Sequence, residues 1–533
     1  MSNLASRLTI CILLAALLGS SCTSNATTSA PTEMYPTYDP FAPVNGSGTL
    51  VAPVQMGQVI QPTRTAGPTP TRAALSVTLP PRDPNAAPMT PTPDAPHALP
   101  PPRDYVDQYT VQAGDTLGTI ASGYGITLEA LMQANGLDES SILAIGMVLN
   151  IPPVEADPNP GSAFKIIPDS ELVYGPASVQ FDLSAFIQGQ GGYLASYTQD
   201  VNGEILTGEQ VIARTARNYS VNPRLLLALL EYRSGWVTNP VPSNVDYPLG
   251  FFENYYAGLS RQISWAANNV NRGYYSWRVN AISTLPLTDG TSVPLDPTIN
   301  AGTAGVQYFL SLFNTRPLWD ADVSEQGFFQ TYTRLFGSPF DYDVVSLLPP
   351  NLAQPPMQLP LEPGVRWTYT GGPHGGWDTG SAWAALDFAP PGEPAGCVTS
   401  DAWVVAVASG WVVRADNGAV IQDLDNDGYE QTGWNILYMH IETRDRIQPN
   451  TYISAGERIG HPSCEGGVSN GTHVHLARKY NGEWISADGN LPFNLDGWVS
   501  SGNGTEYDGY LTRGGASVEA MEGVFEGLNQ ISR

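Results

Sequence analysis

The stretch GTHVHLARKY, residues 471–480, decides how the C-terminal half of this chain is read. It has the composition of a β-strand, and in a strand successive side chains alternate faces, so His473 and His475 project to the same side. The chain has six histidines, and five of them fall between His374 and His475. A catalytic zinc site needs three N or O protein ligands and an open position for water. His374, Asp387 and His475 supply three such ligands, leaving His440 and His473 for proton transfer and charge stabilisation. No HExxH occurs, so the helix-borne form of a zinc peptidase is excluded. His97 in a proline-rich stretch and His461 in a Gly/Pro/Ser loop receive no role.

Working outward, WVVAVASGWVV (403–413), AVIQDL (419–424) and WNILYMHI (434–441) are short, glycine-punctuated runs. With period two, they predict an antiparallel sheet. Asp423, Asp425 and Asp427 alternate before Gly428, a spacing that can wrap Ca²⁺. Trp434 stands where an EF-hand has its closing Glu, so a polar hairpin tip is the preferred reading over Ca²⁺.

GGPHGGWDTGSAWAALDFAP (371–390), GWNILYMHI, YISAGERIGHPSC (452–464) and GTHVHLARKY together resemble the lysostaphin-type zinc endopeptidases, which cut peptide cross-links of bacterial cell walls. Most members carry the first His four residues before the Asp, and here that place is Trp383. The long gap from His374 to Asp387 is similar to the beta-lytic branch. The resemblance covers roughly residues 355–500. It implies an all-β antiparallel peptidase domain with a C-terminal extension over 355–533, one catalytic Zn²⁺, and peptidoglycan as partner.

The N-terminus, MSNLASRLTICILLAALLGSSC, has one early Arg7, an apolar run and then small residues, the pattern of a secretory signal over 1–22. Cys22 is a candidate lipidation site, although Gly19 stands where lipoproteins carry Leu; lipid anchoring and plain secretion both remain open. Cys11 leaves with the signal in either case. Cys397 and Cys464 then remain, and an exported protein can keep a disulfide between them, the alternative being two free thiols.

Residues 23–105, rich in Pro, Thr, Ala and Ser, read as a disordered linker. Residues 107–152 read strand, helix, helix, strand, with Asp115 or Thr116 and then Thr127 as helix caps, Asn135-Gly136 as a stop and Pro152 as the end. This βααβ pattern resembles a LysM module, which implies binding to N-acetylglucosamine-containing glycans through Gly114, Asp115, Thr116 and Leu117.

From 160 to 345 the chain is mostly helical and aromatic-rich. Asn222-Pro223 marks a helix start before the apolar run Leu225–Leu230. VNPRLLLALLEYRSGW and DPTINAGTAGVQYFLSLF resemble lytic transglycosylases of the lysozyme-like fold, but Arg233 replaces the catalytic Glu. Glu231 lies about 200° round the helix from that place. An inactive domain that holds a glycan strand is the expectation, with most of Trp236, Tyr255, Tyr256, Trp265, Tyr274 and Trp277 serving as core.

Lys+Arg total 24 against Asp+Glu 50, a formal charge of -26. That excludes nucleic acid as an expected partner and leaves the membrane reachable only through a lipid. The sequence therefore predicts an exported, multidomain, wall-directed zinc endopeptidase. Two rivals stand beside it: a wall-binding regulator without catalysis, and a glycan-cleaving enzyme centred on Glu231.

Overall fold

The computed structural model describes residues 96–97, most of 105–153, and 159–344, 347–392 and 396–533. The expected signal segment, Cys22, nearly all of the linker, and Gly114, Asp115, Thr116 and Thr127 lie outside the described residues.

In the LysM-like segment, β1 (Asp107–Thr110) pairs antiparallel with β2 (Val148–Ile151), and α1 (Leu128–Asn135) packs between them in sequence. Gly136 takes a φ of 65°, a left-handed stop that glycine adopts without strain, and β2 ends just before Pro152. Leu117 packs against the small core of Val111, Ile120, Leu131, Leu149 and Ile151.

The middle segment is built on α2 (Gly208–Tyr219), α3 (Pro223–Ser234), α4 (Leu259–Arg278) and α5 (Ala301–Ser311). Thr207 and Gln210 form a reciprocal capping box on α2. The Asn222 side chain accepts from Arg224 N at 2.9 Å to open α3, Pro223 fills its first position, and Gly235 closes it. Leu225 to Leu230 are all buried. Trp236, Tyr256, Tyr274 and Trp277 are core, Trp265 stacks on Phe251 at 4.3 Å, and only Tyr255 is exposed. His97 docks here, its ring 4.5 Å from that of Trp277.

The C-terminal segment carries the antiparallel sheet. Its strands are β3 (Trp367–His374), β4 (Ala385–Ala389), β5 (Gly410–Asp416), β6 (Ala419–Asp423), β7 (Trp434–Met439), β8 (Thr451–Ile453), β9 (Val474–Tyr480) and β10 (Gln530–Ile531). They run in the order β8-β5-β6-β7-β9-β4-β3-β10, with the short strand Glu483–Trp484 added beside β9. The run 403–413, expected as one strand, divides into Val404–Val405 and β5. The two pieces pair with different partners, Val404–Val405 with Arg458–Gly460 and β5 with β6.

Alternation along these strands gives the sheet two different faces. Leu386, Phe388, Val420, Ile436, Tyr438, Val474 and Leu476 fill the sheet's own core. Ala385, Ala419, Ile421, Leu437, Met439, Ala477 and Trp484 instead join one continuous core with the helices. Polar contacts secure that junction. Tyr219 donates to Asp378 at 3.1 Å, Arg272 to Thr379 at 2.7 Å, and Trp484 N to the Tyr275 hydroxyl at 3.0 Å. The helical and sheet segments, expected as separate domains, are thus packed together, and the helices cover part of one sheet face.

The C-terminal extension is not an appendage. Strands Asn494–Leu495, Trp498–Gly502, Gly509–Arg513 and Ala516–Glu519 form a second sheet whose Leu495, Trp498, Leu511 and Val518 enter the core of the first.

Candidate metal centre

His475 pairs in register with Asp387 across β9 and β4, and β3 ends on His374. Directly opposed residues share a face, so the register alone brings Asp387 beside His475. The β3–β4 ladder slips between Tyr369 and Gly371 and again before His374, which turns that last imidazole inward. Gly371 must be glycine, since a Cβ there would lie 2.7 Å from Asp387 Oδ2.

The three inward atoms make a tight triangle. His374 Nε2 is 3.0 Å from His475 Nδ1, and Asp387 Oδ1 is 3.3 Å from each. Two ligands about 2.1 Å from a tetrahedral ion sit roughly 3.4 Å apart, so the triangle has the size zinc requires. Asp387 Oδ1 is buried with no hydrogen-bond partner, a cost that a cation between these atoms removes. His374 Nδ1 donates to the Gly372 carbonyl at 2.7 Å and His475 Nε2 to the Gly376 carbonyl at 3.2 Å. Those bonds leave His374 Nε2 and His475 Nδ1 with free lone pairs facing the centre. The donor set fits a single zinc.

The two remaining histidines stand beside the triangle. His473 Nδ1 donates to the Gly471 carbonyl at 2.7 Å, and its Nε2 lies 3.7 Å from Asp387 Oδ1. His440, held at φ 65°, donates from Nδ1 to the Glu465 carbonyl at 3.1 Å. Its ring centroid is 4.5 Å from that of His473. His461, which received no role, is buried, donating to Ala402 O at 2.8 Å and packed on Trp403.

Charge is strongly skewed inside this cluster. Burial alone would push the Asp387 carboxyl up, but the imidazoles of His374, His473 and His475 outweigh it and hold Asp387 well below the usual carboxylate range. Burial and the neighbouring His473 and His475 push His440 well below the usual imidazole value. Burial also lowers His475, with His374 adding to it, whereas for His374 the Asp387 charge overcomes burial and raises it.

Four contributors were not legible as site residues. Tyr507, from the turn joining strands Trp498–Gly502 and Gly509–Arg513, lies flat on His374 at 4.2 Å between ring centroids. The carbonyls of Gly372, Gly376 and Glu465 orient the imidazoles; the only sequence signal for two of them is the doubled glycine on either side of Pro373-His374.

Elsewhere the candidates resolve differently. Cys397 and Cys464 are joined as a disulfide. Asp423, Asp425 and Asp427 converge, yet they accept from their own loop: Asp423 from Asp425 N, Asn426 N and Gly428 N, and Asp427 from Thr432 at 2.6 Å. That is the geometry of a hairpin tip. Glu231 accepts from Val237 N, Thr238 N, the Thr238 hydroxyl and Arg334. Burial would raise its carboxyl, but these bonds prevail and hold it below the usual value, the opposite of what a general acid needs. Arg233 caps the Leu249 carbonyl and lies over Phe313.

Two imidazoles and a carboxylate converge on one sheet face, flanked by two further imidazoles, and the three form a donor set of the size and chemistry that a single metal ion takes. Family comparison places the chain beside known proteins. Residues 109–152 match the LysM domain, and 165–351 match the LasA N-terminal domain, the family that accounts for the helical segment. Protease LasA of Pseudomonas aeruginosa is 23% identical over 337 residues in one strain and 25% over 343 in another, covering 60% of this chain and 75% of each relative. Among solved structures, the deep-sea M23 metalloprotease pseudoalterin is 25% identical, overlapping 33% of this chain and 100% of that one with a TM-score of 0.27. The catalytic domain of lysostaphin from Staphylococcus simulans is 24% identical over 23% of this chain and 89% of its own, with a TM-score of 0.17. The chain is thus similar to protease LasA and carries a segment that matches the LysM domain.

Proposed function

We propose that this protein is an exported endopeptidase that hydrolyses peptide cross-links of peptidoglycan, held to the wall by its LysM segment. The observation that carries the reading is the triangle of His374, Asp387 and His475, sized for zinc and built around an otherwise orphaned carboxylate oxygen. Those three residues would hold the ion, which when bound supplies Lewis acidity and a water of lowered pKa.

The remaining work falls to the chain's own groups. His473 Nε2, freed by the bond from Nδ1 to Gly471, takes a proton from the attacking water and delivers it to the leaving amine. His440, fixed by Glu465, faces the same space and steadies the charge that develops on the carbonyl oxygen. Asp387, kept ionised, lends both imidazoles a nearby negative charge.

A non-enzymatic wall-binding role is disfavoured because all five donor residues are present. A glycan-cleaving role is disfavoured because Glu231 is ionised and fully engaged. The test is release of soluble peptides from purified sacculi. Release by the wild type, lost with a chelator, restored by zinc and absent in His475→Ala, supports the reading. Anhydro-sugar products that survive chelation would replace it. Lipid attachment at Cys22 is the accompanying proposal for how the protein is retained, and fatty-acid labelling that vanishes in Cys22→Ser distinguishes it from plain secretion.

A further inference from the structure

Residues 375–384 join β3 to β4, and so run from His374 toward Asp387. The same loop reaches the third member of the triangle, because the Gly376 carbonyl accepts from His475 Nε2 at 3.2 Å. One short segment therefore bears on all three donors, and whatever fixes it helps to set the spacing of the triangle.

The base of the loop is closed by its own bonds. Gly376 N donates to the Ala382 carbonyl at 3.0 Å, Trp377 N to the Ser381 hydroxyl at 2.9 Å, and that hydroxyl to the Asp378 carbonyl at 3.0 Å. The tip is held by the helices instead. Gly380 N donates to Asn268 Oδ1 at 2.7 Å. Asn268 Nδ2 and Arg272 Nη2 donate to the Thr379 hydroxyl at 3.2 Å and 2.7 Å, and the Tyr219 hydroxyl donates to Asp378 at 3.1 Å. Trp377 is buried in the core shared with the helices, its ring centroid 6.4 Å from that of Tyr219. The approach is close: a Cβ on Gly380 would fall 2.0 Å from the Asn268 carbonyl oxygen.

Three of the eight residues from Gly375 to Ala382 are glycine, so the backbone of this loop has wide freedom unless something outside it selects one position. Asn268 and Arg272 are placed to do so. They lie four residues apart on α4, about one turn, and project from one face. Both are half-buried, and among the described residues neither bonds to a member of the triangle.

We infer that Asn268 and Arg272 are positioning residues for the metal centre: the helical segment clamps the loop between two of the ligands and thereby tightens the hold on the ion. Through Gly376 the clamp also keeps the His475 ring turned with Nδ1 toward the other two donors. This rests on the metal-centre reading above.

The test uses the full chain stripped of metal, with zinc affinity measured by competition against a chromophoric chelator. Asn268→Ala combined with Arg272→Ala should weaken zinc binding about ten-fold or more. Asn268→Asp combined with Arg272→Lys keeps an acceptor for Gly380 and a donor for Thr379, and should recover most of the affinity. Gly380→Ala should reproduce the loss from the loop's side, with both helix side chains intact. The absorption bands of the cobalt-loaded protein report ligand geometry, and should change in the alanine pair but not in the conservative pair. A merely structural role would lower the melting temperature of the metal-free protein and leave affinity and bands as they are. Wild-type affinity in the alanine pair overturns the inference, as does a loss that the conservative pair shares in full. If the alanine pair fails to fold, Gly380→Ala decides in its place. A wild type that takes up no zinc would instead refute the metal-centre reading itself.

Discussion

Cutting the Cys397–Cys464 bridge should cost stability and catalysis while sparing the metal. The two cysteines are 67 residues apart, so the chain-entropy model assigns the cross-link at most about 4.4 kcal/mol. For a folded unit of this size, where each kcal/mol moves Tm by about 2–4 °C, that corresponds to about 9–17 °C. The bridge also ends where two imidazoles are positioned. Ser463, just before Cys464, donates to the His440 carbonyl from both its N–H at 2.7 Å and its hydroxyl at 3.0 Å, and Glu465, just after, accepts from His440. Gly396, just before Cys397, accepts from Thr472 N beside His473. None of the three triangle residues belongs to these segments. A Cys397→Ser, Cys464→Ser double variant should therefore melt at least several degrees lower, keep its zinc at working temperature, and lose ten-fold or more in kcat through displaced His440 and His473. Calorimetry, metal analysis and sacculus digestion on the same preparation check this. An unchanged Tm refutes the stability reasoning, and zinc lost in step with activity refutes the division of labour.

His473→Ala and His440→Ala should each lower kcat by 10²–10⁴-fold while binding zinc at the wild-type ratio, checked by digestion rates against metal content. Asp378 is raised to about 6, chiefly by burial against its hydrogen bonds from Thr379 and Tyr219. A raised carboxyl stabilises the fold below its unfolded pKa and loses that contribution as pH rises through about 6. Asp378→Asn should thus raise Tm at pH 8 and leave it nearly unchanged at pH 4, helped by the φ of 60° that Asn tolerates. Glu231 has the opposite sign: its lowered carboxyl stabilises above the usual range and loses this as pH falls through the depressed value. Glu231→Gln should accordingly flatten the acid arm of the Tm–pH profile, measured by thermal melts.

How much of this was legible depended on whether the signal was local. The H-x-H strand, the Asn222-Pro223 helix start and the Gly136 stop are written in neighbouring residues, and the structure follows them. The packing of the helices onto the sheet is not. AVIQD and WNILYM are buried on both faces, and a run apolar on both sides says that something covers it without saying what. Tyr507 lies 133 positions beyond the His374 it covers, in a turn of the second sheet's own hairpin, so no spacing could announce it. Glu231 read as a possible acid because helix position alone cannot reveal Thr238 and Arg334 closing on it.

Zinc-edge anomalous diffraction from crystals of the purified, unchelated protein tests the central claim most directly. One peak should lie about 2.0–2.2 Å from His374 Nε2, His475 Nδ1 and Asp387 Oδ1. A metal found only at Asp423, Asp425 and Asp427, or a triangle that stays empty in zinc-replete crystals, would contradict the account.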